Sequence, residues 1–363
     1  MVKKTNRKGS RLPIATIRQW PKLLLHEHLD CSLRPSTLLE LASCLGFDNQ
    51  AFAELPFPSE IVNAWNAAGS NKRKRAQVAR QYQTFIAGHA SASLHNYVQA
   101  IVKHVLPVMQ TEEALYRITK ERIEDAVADG VIAMELRFAP QLHTWSGLSL
   151  RQVMEAVVRA VKESPIPVKL IVCALRHENG RMAYRLANLS IKYRQYVCKF
   201  DLAGDEAANP GVLKWWLKQA LRLREYGIEP TIHLWETNEP TDEDIALLDK
   251  HAILVLGHGF RGDRQGNRVL TICVTSNIVT GQVQCAADHP IDDLFNEDKL
   301  VTVETDGTLF TLTSGTGEYV LLNRTFGWGP AHFLRCNQTS LKYSSFTGAE
   351  RARLARQLED GYR

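Results

Sequence analysis

The stretch Leu23-Leu24-Leu25-His26-Glu27-His28-Leu29-Asp30 decides how the chain reads. Three leucines in a row suit a strand buried on both faces, because a parallel strand covered by helices need not alternate. Side chains two apart on a strand share a face. His26 and His28 therefore point the same way, where the strand leaves the core. Two imidazoles on one face suit a divalent metal ion, provided further ligands arrive from other strand ends.

Further strands are read at Val131–Phe138, Val168–Leu175, Val197–Ala203, Pro230–Leu234, Ala252–His258, Val269–Cys273 and Leu300–Asp306. Amphipathic stretches separate most of them, among them 111–129, 150–162, 183–193, 213–226 and 242–249. Eight βα units in one chain predict a single (β/α)8 TIM barrel, class α/β, with extra helices in the first βα connection and at the C-terminus. A doubly wound sheet would carry a glycine-rich phosphate turn after its first strand, and none is present. Residues 1–20 are expected to form a basic tail and residues 21–363 one barrel domain. Ser36 is expected to cap the helix after the first strand. Residues 45–95 read as less regular, with a helical segment beside a loop. The run Lys72-Arg73-Lys74-Arg75 reads as a solvated helix face.

The 363 residues are 45% apolar and 23% charged, with a formal net charge of +5, ordinary for a globular chain with a sizeable core. That charge does not call for nucleic acid. No apolar run approaches the roughly 18 residues of a membrane span, and the basic start lacks the apolar segment of a signal peptide. Seven cysteines with no CxxC pair indicate a reducing compartment, so a cytoplasmic location is expected. They also exclude the PCxxC signature of cytidine-deaminase-type zinc sites.

In a barrel all strand C-termini meet at one mouth, where barrel enzymes do their chemistry. His26 and His28 end the first strand, Asp201 to Glu206 the fourth, His233 to Glu236 the fifth, Gly257-His258-Gly259 the sixth and Asp306 the eighth. Three histidines and a carboxylate (His26, His28, His233 and Asp306) suit one catalytic Zn2+ or a similar divalent ion with room for water. Such an ion lowers the pKa of water toward about 7. Glu236, three residues past His233, is placed to pass a proton to the substrate. His258 suits a base or electrostatic partner of the attacking water. Asp306 also suits aiming that water. Gly204 offers a backbone N–H with no side chain in the way.

These motifs resemble the adenosine deaminase family of the amidohydrolase superfamily. The matching pieces are HEHLDCSLRP at 26–35, MELRFAPQLH at 134–143, LRH at 175–177, DLAGDE at 201–206, HLWE at 233–236, GHG at 257–259, CVTSNIVTG at 273–281, HPIDDLF at 289–295 and ETD at 304–306. The resemblance implies hydrolytic removal of a purine 6-amino group with release of ammonia. It implies that Glu236 protonates the ring nitrogen beside the attacked carbon and that His258 orients or deprotonates the water. It also implies that Asp306 takes part in catalysis, and that His28, Asp30 (at the ribose) and Gly204 (at the ring) bind substrate.

The sequence departs from the family pattern in three places. Gly307 replaces a second aspartate that contacts purine N7, Leu234-Trp235 replace two small residues, and Cys31 replaces a glycine. All three are expected near the substrate, with base recognition altered and the metal set intact. On that basis a Gly307→Asp change is expected to raise adenosine turnover. The expected substrate is adenosine or a related or modified adenine nucleoside. The alternatives are a free base or nucleotide, or a weakly active or non-catalytic nucleoside-binding protein.

Overall fold

Eight parallel strands follow one another around a barrel in sequence order in the computed structural model, which describes residues 11–206, 211–262 and 267–363. They are β1 (Lys22–His28), β2 (Val131–Phe138), β3 (Val168–Leu175), β4 (Val197–Ala203), β5 (Glu229–Leu234), β6 (Val255–His258), β7 (Val269–Ile272) and β8 (Leu300–Val303). Each pairs in parallel with the next. This is the expected TIM barrel.

The seam between β8 and β1 closes differently from the other seven. The two strands meet at a single parallel bridge, Glu27 to Asp306. Below it the Glu304 carboxylate accepts the backbone N–H groups of Leu25 and His26 at 2.8 and 3.1 Å. A side chain thus satisfies donors that a neighbouring strand would otherwise satisfy. Burial pushes the Glu304 carboxyl up to about 7.

Helices cover the outside of the barrel, and several begin where sequence chemistry says they should. Ser149 and Gln152 form a capping box for Leu150–Lys162, and Thr241 with Asp244 does the same for Asp242–Lys250. The helix Pro35–Leu45 starts two residues earlier than Ser36 capping requires. Pro35 takes the first helical position, where its missing N–H costs nothing, and Ser36 falls inside the first turn. The interval 45–95 is more helical than expected, with helices at Ser59–Ala68 and Lys72–His89. Asn71 caps the second, so Lys72 to Lys74 lie exposed on its first turn, while Arg75 stacks 4.7 Å from the Trp65 ring.

The basic residues before Arg11 lie outside the described residues. Part of the expected tail is folded: Ile14–Gln19 is a helix whose Ile17 is buried in the core. The Lys22 ammonium holds that helix down, donating to the carbonyls of Ile17, Arg18, Trp20 and Asp129 at 2.8–3.2 Å. Three helices, Gly315–Phe326, Pro330–Tyr343 and Gly348–Gly361, finish the chain. Among the described residues no helix is long and apolar enough to cross a membrane, and all seven cysteines are free.

Candidate active site

The strand-end residues converge as the barrel requires. His28 Nε2 lies 3.1 Å from His233 Nε2 and 3.6 Å from Asp306 Oδ1, and His26 Nε2 lies 3.5 Å from that same oxygen. His258 joins them: ligand atoms of His26, His233, His258 and Asp306 all fall within 4.8 Å of one another. Five side chains from β1, β5, β6 and the segment after β8 thus face one point. Gly257 makes the crowding possible, since a Cβ there would meet the rings of both His26 and His233 at 3.1 Å.

The backbone bends sharply to present these groups. Trp235, His258 and Asp306 have φ of 59°, 59° and 61°, left-handed values that non-glycine residues rarely adopt. Strain of this kind persists where surrounding structure holds it, and it concentrates at functional sites. Gly204, with φ of 100°, needs no such support.

The partners of the other ring nitrogen show what each imidazole can do. His233 Nδ1 sits 2.9 Å from Asp201 Oδ2, a carboxylate that also pairs with Arg137 at 3.0 Å. His26 Nδ1 lies 2.9 Å from Thr271 Oγ1, whose own proton goes to the Leu256 carbonyl. Both rings therefore carry their proton on Nδ1 and turn an unprotonated Nε2 inward. His26 Nε2 is buried with no hydrogen bond. Burial, first of all, with Arg137 nearby, holds His26 far below the usual histidine range, and burial lowers His28 to about 4. Asp306 offers one oxygen: Ser276 donates to its Oδ2 at 2.5 Å, leaving Oδ1 toward the histidines. Burial opposes ionisation of Asp306, but its histidine partners outweigh that and hold it well below the usual range. Nitrogen lone pairs and a carboxylate turned on one point, with outer partners behind His26 and His233, form a donor set that fits a divalent ion such as zinc.

Glu236 stands beside this cluster, its Oε2 3.5 Å from His258 Nε2. Burial, with Asp306 and Glu206 adding negative charge, pushes its carboxyl well above the usual range, which favours the protonated form. Glu206 also ties the strand end down, accepting the backbone N–H groups of Glu236 and Asn238 at 2.8 and 3.1 Å. Asp30 is anchored by His143 Nε2 at 2.6 Å and the Ala139 N–H at 3.0 Å.

Two adjoining cavities open from the cluster. The inner one, about 80 Å³, is lined by His28, Cys31, Gly204, His233, Glu236, His258 and Asp306. The outer one, about 210 Å³, reaches Asp30, His177, Asp205 and Gly204. Both are roofed by Leu94, Val98 and Ile101. That roof is the helix Leu94–Ala100 running into a π-helical turn, Ile101–Val105. Such turns recur at functional sites. Sequence reasoning missed this roof, and missed Asp201, Thr271 and Ser276 as outer partners. The motif pieces DLAGDE and CVTSNIVTG contain two of the three, without a local cue to their roles. A separate groove of about 370 Å³ outside the barrel holds Arg34 and Asp125, which pair at 2.7 Å, and none of the strand-end groups.

The adenosine deaminase family model matches residues 75–360. The adenosine deaminase of Mycobacterium marinum is 34% identical over 367 residues, covering 92% of this chain and 93% of its own. That of Mycobacterium tuberculosis strain H37Rv is 34% identical over 361 residues, covering 91% and 90%. This chain belongs to the adenosine deaminase family. Membership makes it a hydrolytic aminohydrolase of a metal-dependent family. Solved structures share the fold. The N6-methyl-AMP deaminase of Arabidopsis thaliana has a TM-score of 0.76 at 22% identity, covering 96% of this chain and 98% of that one. A zinc-bound amidohydrolase from Burkholderia has a TM-score of 0.74 at 18% identity, covering 98% and 95%.

Of the three departures from the family pattern, two lie together at the site and one does not. A Cβ on Gly307 would fall 2.2 Å from Cys31 Sγ and 2.6 Å from the Tyr97 hydroxyl. Cys31 therefore fills the space that a side chain at 307 would need. This overturns the expectation for Gly307→Asp alone, because the carboxylate has no room while Cys31 and Tyr97 hold their places. Trp235 is fully buried, and its ring packs on Gly262, where a Cβ would lie 2.0 Å away. Neither Leu234 nor Trp235 lines the cavities. The left-handed turn at Trp235 breaks strand alternation and swings the indole away from the substrate side.

Proposed function

We propose that the protein is a zinc-dependent deaminase of adenosine or an N6-modified adenosine, acting on the nucleoside in preference to its 5′-phosphate. The observation that carries this reading is the pairing of a metal-type donor cluster with a buried Glu236 carboxyl, 3.5 Å from His258, in one cavity. His26, His28, His233 and Asp306 would hold the ion, which supplies an activated water at neutral pH. Glu236 donates its proton to the ring nitrogen beside the carbon under attack. That nitrogen gains basicity as the ring loses aromaticity, so a neutral carboxyl already in place is the right donor. Asp306 Oδ1 orients the attacking water, His258 stands beside it, and the Gly204 N–H holds the ring. His28 and Asp30 bound the sugar side.

The preference for a nucleoside follows from charge. The described residues lining the outer cavity include Asp30, Asp205, His95 and His177 but no lysine or arginine. A dianionic phosphate is ordinarily met by such cations. Solved structures described as complexes with IMP and GMP make the monophosphates the alternative to be tested.

The test is release of ammonia, or of methylamine from the N6-methyl compounds, from adenosine, N6-methyladenosine, their 5′-monophosphates and adenine, using zinc-loaded protein. The proposal expects kcat/KM for a nucleoside to exceed that for its monophosphate by on the order of tenfold or more, one charge-assisted contact's worth. A monophosphate turned over faster than its nucleoside refutes the substrate assignment. Release from none of the five refutes the adenine-nucleoside reading itself.

A further inference from the structure

We infer that Asn277 and His289 are positioning residues that keep the ring proton of His258 on Nε2, so that His258 faces the reaction as a hydrogen-bond donor and stays off the metal. The argument runs inward from a backbone group whose polarity is fixed. The N–H of Ile291 donates to His289 Nδ1 at 3.1 Å. A backbone amide cannot accept, so His289 Nδ1 is unprotonated and the ring proton sits on Nε2. Burial, with Arg261 nearby, lowers His289 to about 3, so this ring is neutral at working pH. Its Nε2–H then donates to Asn277 Oδ1 at 3.2 Å.

That contact fixes the Asn277 amide. Its NH2 group must face the other way, and it lies 3.2 Å from His258 Nδ1. The reverse orientation would require His289 to accept at both ring nitrogens, which a neutral imidazole cannot do. His258 Nδ1 therefore accepts, and the proton of the neutral ring is on Nε2, toward Glu236. A histidine that ligates through Nε2 carries its proton on Nδ1, as His26 and His233 do. Here that proton would collide with the Asn277 NH2. So His258 lies among the ligand atoms in space yet has no lone pair to give, which leaves the fourth position to His28. The pair is held as a unit: Asn277, His258 and His289 are all buried, and the Phe260 ring packs 4.9 Å from that of His289.

The kinetic consequence rests on the aminohydrolase reading; the tautomer does not. The decisive experiment is 15N NMR of histidine-labelled protein, metal-free and zinc-loaded, with the His258 signals assigned by His258→Gln. The expected spectrum has a pyridine-type Nδ1 and a pyrrole-type Nε2 for His258 in both forms. Asn277→Asp is nearly isosteric and offers an acceptor where the amide offered a donor, so it moves the proton to Nδ1. A wrong tautomer in the serine-protease triad costs about 10⁴ in kcat. Here kcat is expected to fall by on the order of 10² or more while KM moves less than about threefold. His289→Gln, which retains a donor toward Asn277, recovers most of what His289→Ala loses. A wild-type spectrum with the His258 proton on Nδ1 overturns the inference, whatever the activity. So does Asn277→Asp turning over at the wild-type rate. Failure of the protein to deaminate any purine defeats the functional reading and leaves the spectrum to decide this one.

Discussion

His26, His233 and His258 are chemically the same ring, a few ångströms apart at the barrel mouth, and they are wired in opposite senses. The first two face a hydroxyl oxygen and a carboxylate oxygen with Nδ1, each at 2.9 Å. The third receives an amide proton at Nδ1. The inner nitrogen is thereby a lone pair in the first case and a donor in the second. The difference shows that ligand and catalytic partner cannot be told apart by proximity, because all of these rings fall within metal-cluster distances. The group behind each ring separates them.

The largest expected effect tests that separation directly. His233→Ala should lose the metal, from about one ion per chain to almost none by elemental analysis, and activity with it. His258→Ala should keep the metal while kcat falls by about 10²–10⁴. Equal loss of zinc from both variants would break the comparison. Glu236→Gln comes next: kcat falls by about 10²–10⁴ with metal content and inhibitor binding unchanged. A smaller effect sharpens the wiring itself. Asp201→Asn should weaken zinc by about 10–100-fold in chelator competition, as loss of an outer partner does, whereas Asn277→Asp should not.

Much of the barrel was legible because apolar runs bounded by polar residues leave little choice. The expected strands at Val131–Phe138, Val168–Leu175 and Val197–Ala203 match the observed bounds. The fifth begins one residue earlier than read, and the last three are shorter than read. Left-handed residues at Ala252 and Asp306 interrupt the extended conformation before or after the ladder. The convergence of His26, His28, His233, Glu236, His258 and Asp306 was legible from topology alone, since a barrel brings every strand end to one face. Trp235 was not, because alternation cannot foresee a residue with positive φ. Nor were the roof at 94–105 and the Asn277–His289 pair. Their contacts depend on tertiary packing, and no local period announces it.

Two further measurements extend the comparison to groups whose surroundings dictate their form. Gly307→Asp alone should destabilise the fold by about 1–3 kcal/mol, the usual cost of overpacking, read as a shift in the urea midpoint. Adding Cys31→Gly should recover most of that loss. The smallest effect concerns His104, buried against the Tyr82 hydroxyl at 2.9 Å and lowered by burial to about 3. The unfolded chain binds that proton first, near pH 6.5. Stability is therefore present above 6.5 and is lost as pH falls toward 3. By pH 5.5 the loss is about 1 kcal/mol, and His104→Gln should flatten the acid limb by that amount in urea titrations at pH 7 and 5.5.

The fit of Cys31 into the space beside Gly307 also constrains history. The family pattern has glycine and aspartate at these positions, and here the bulk sits on the opposite partner. A thiol gained first would have met a side chain already at 307, with atoms 2.2 Å apart. A side chain lost first leaves only a void, which costs stability but keeps the site's shape. Of the two single-step routes between these pairs, selection could therefore have walked one, with residue 307 shrinking before residue 31 grew. Reversion would have to retrace the same path, with residue 31 shrinking before residue 307 grows, so neither position is free to change without regard to the other.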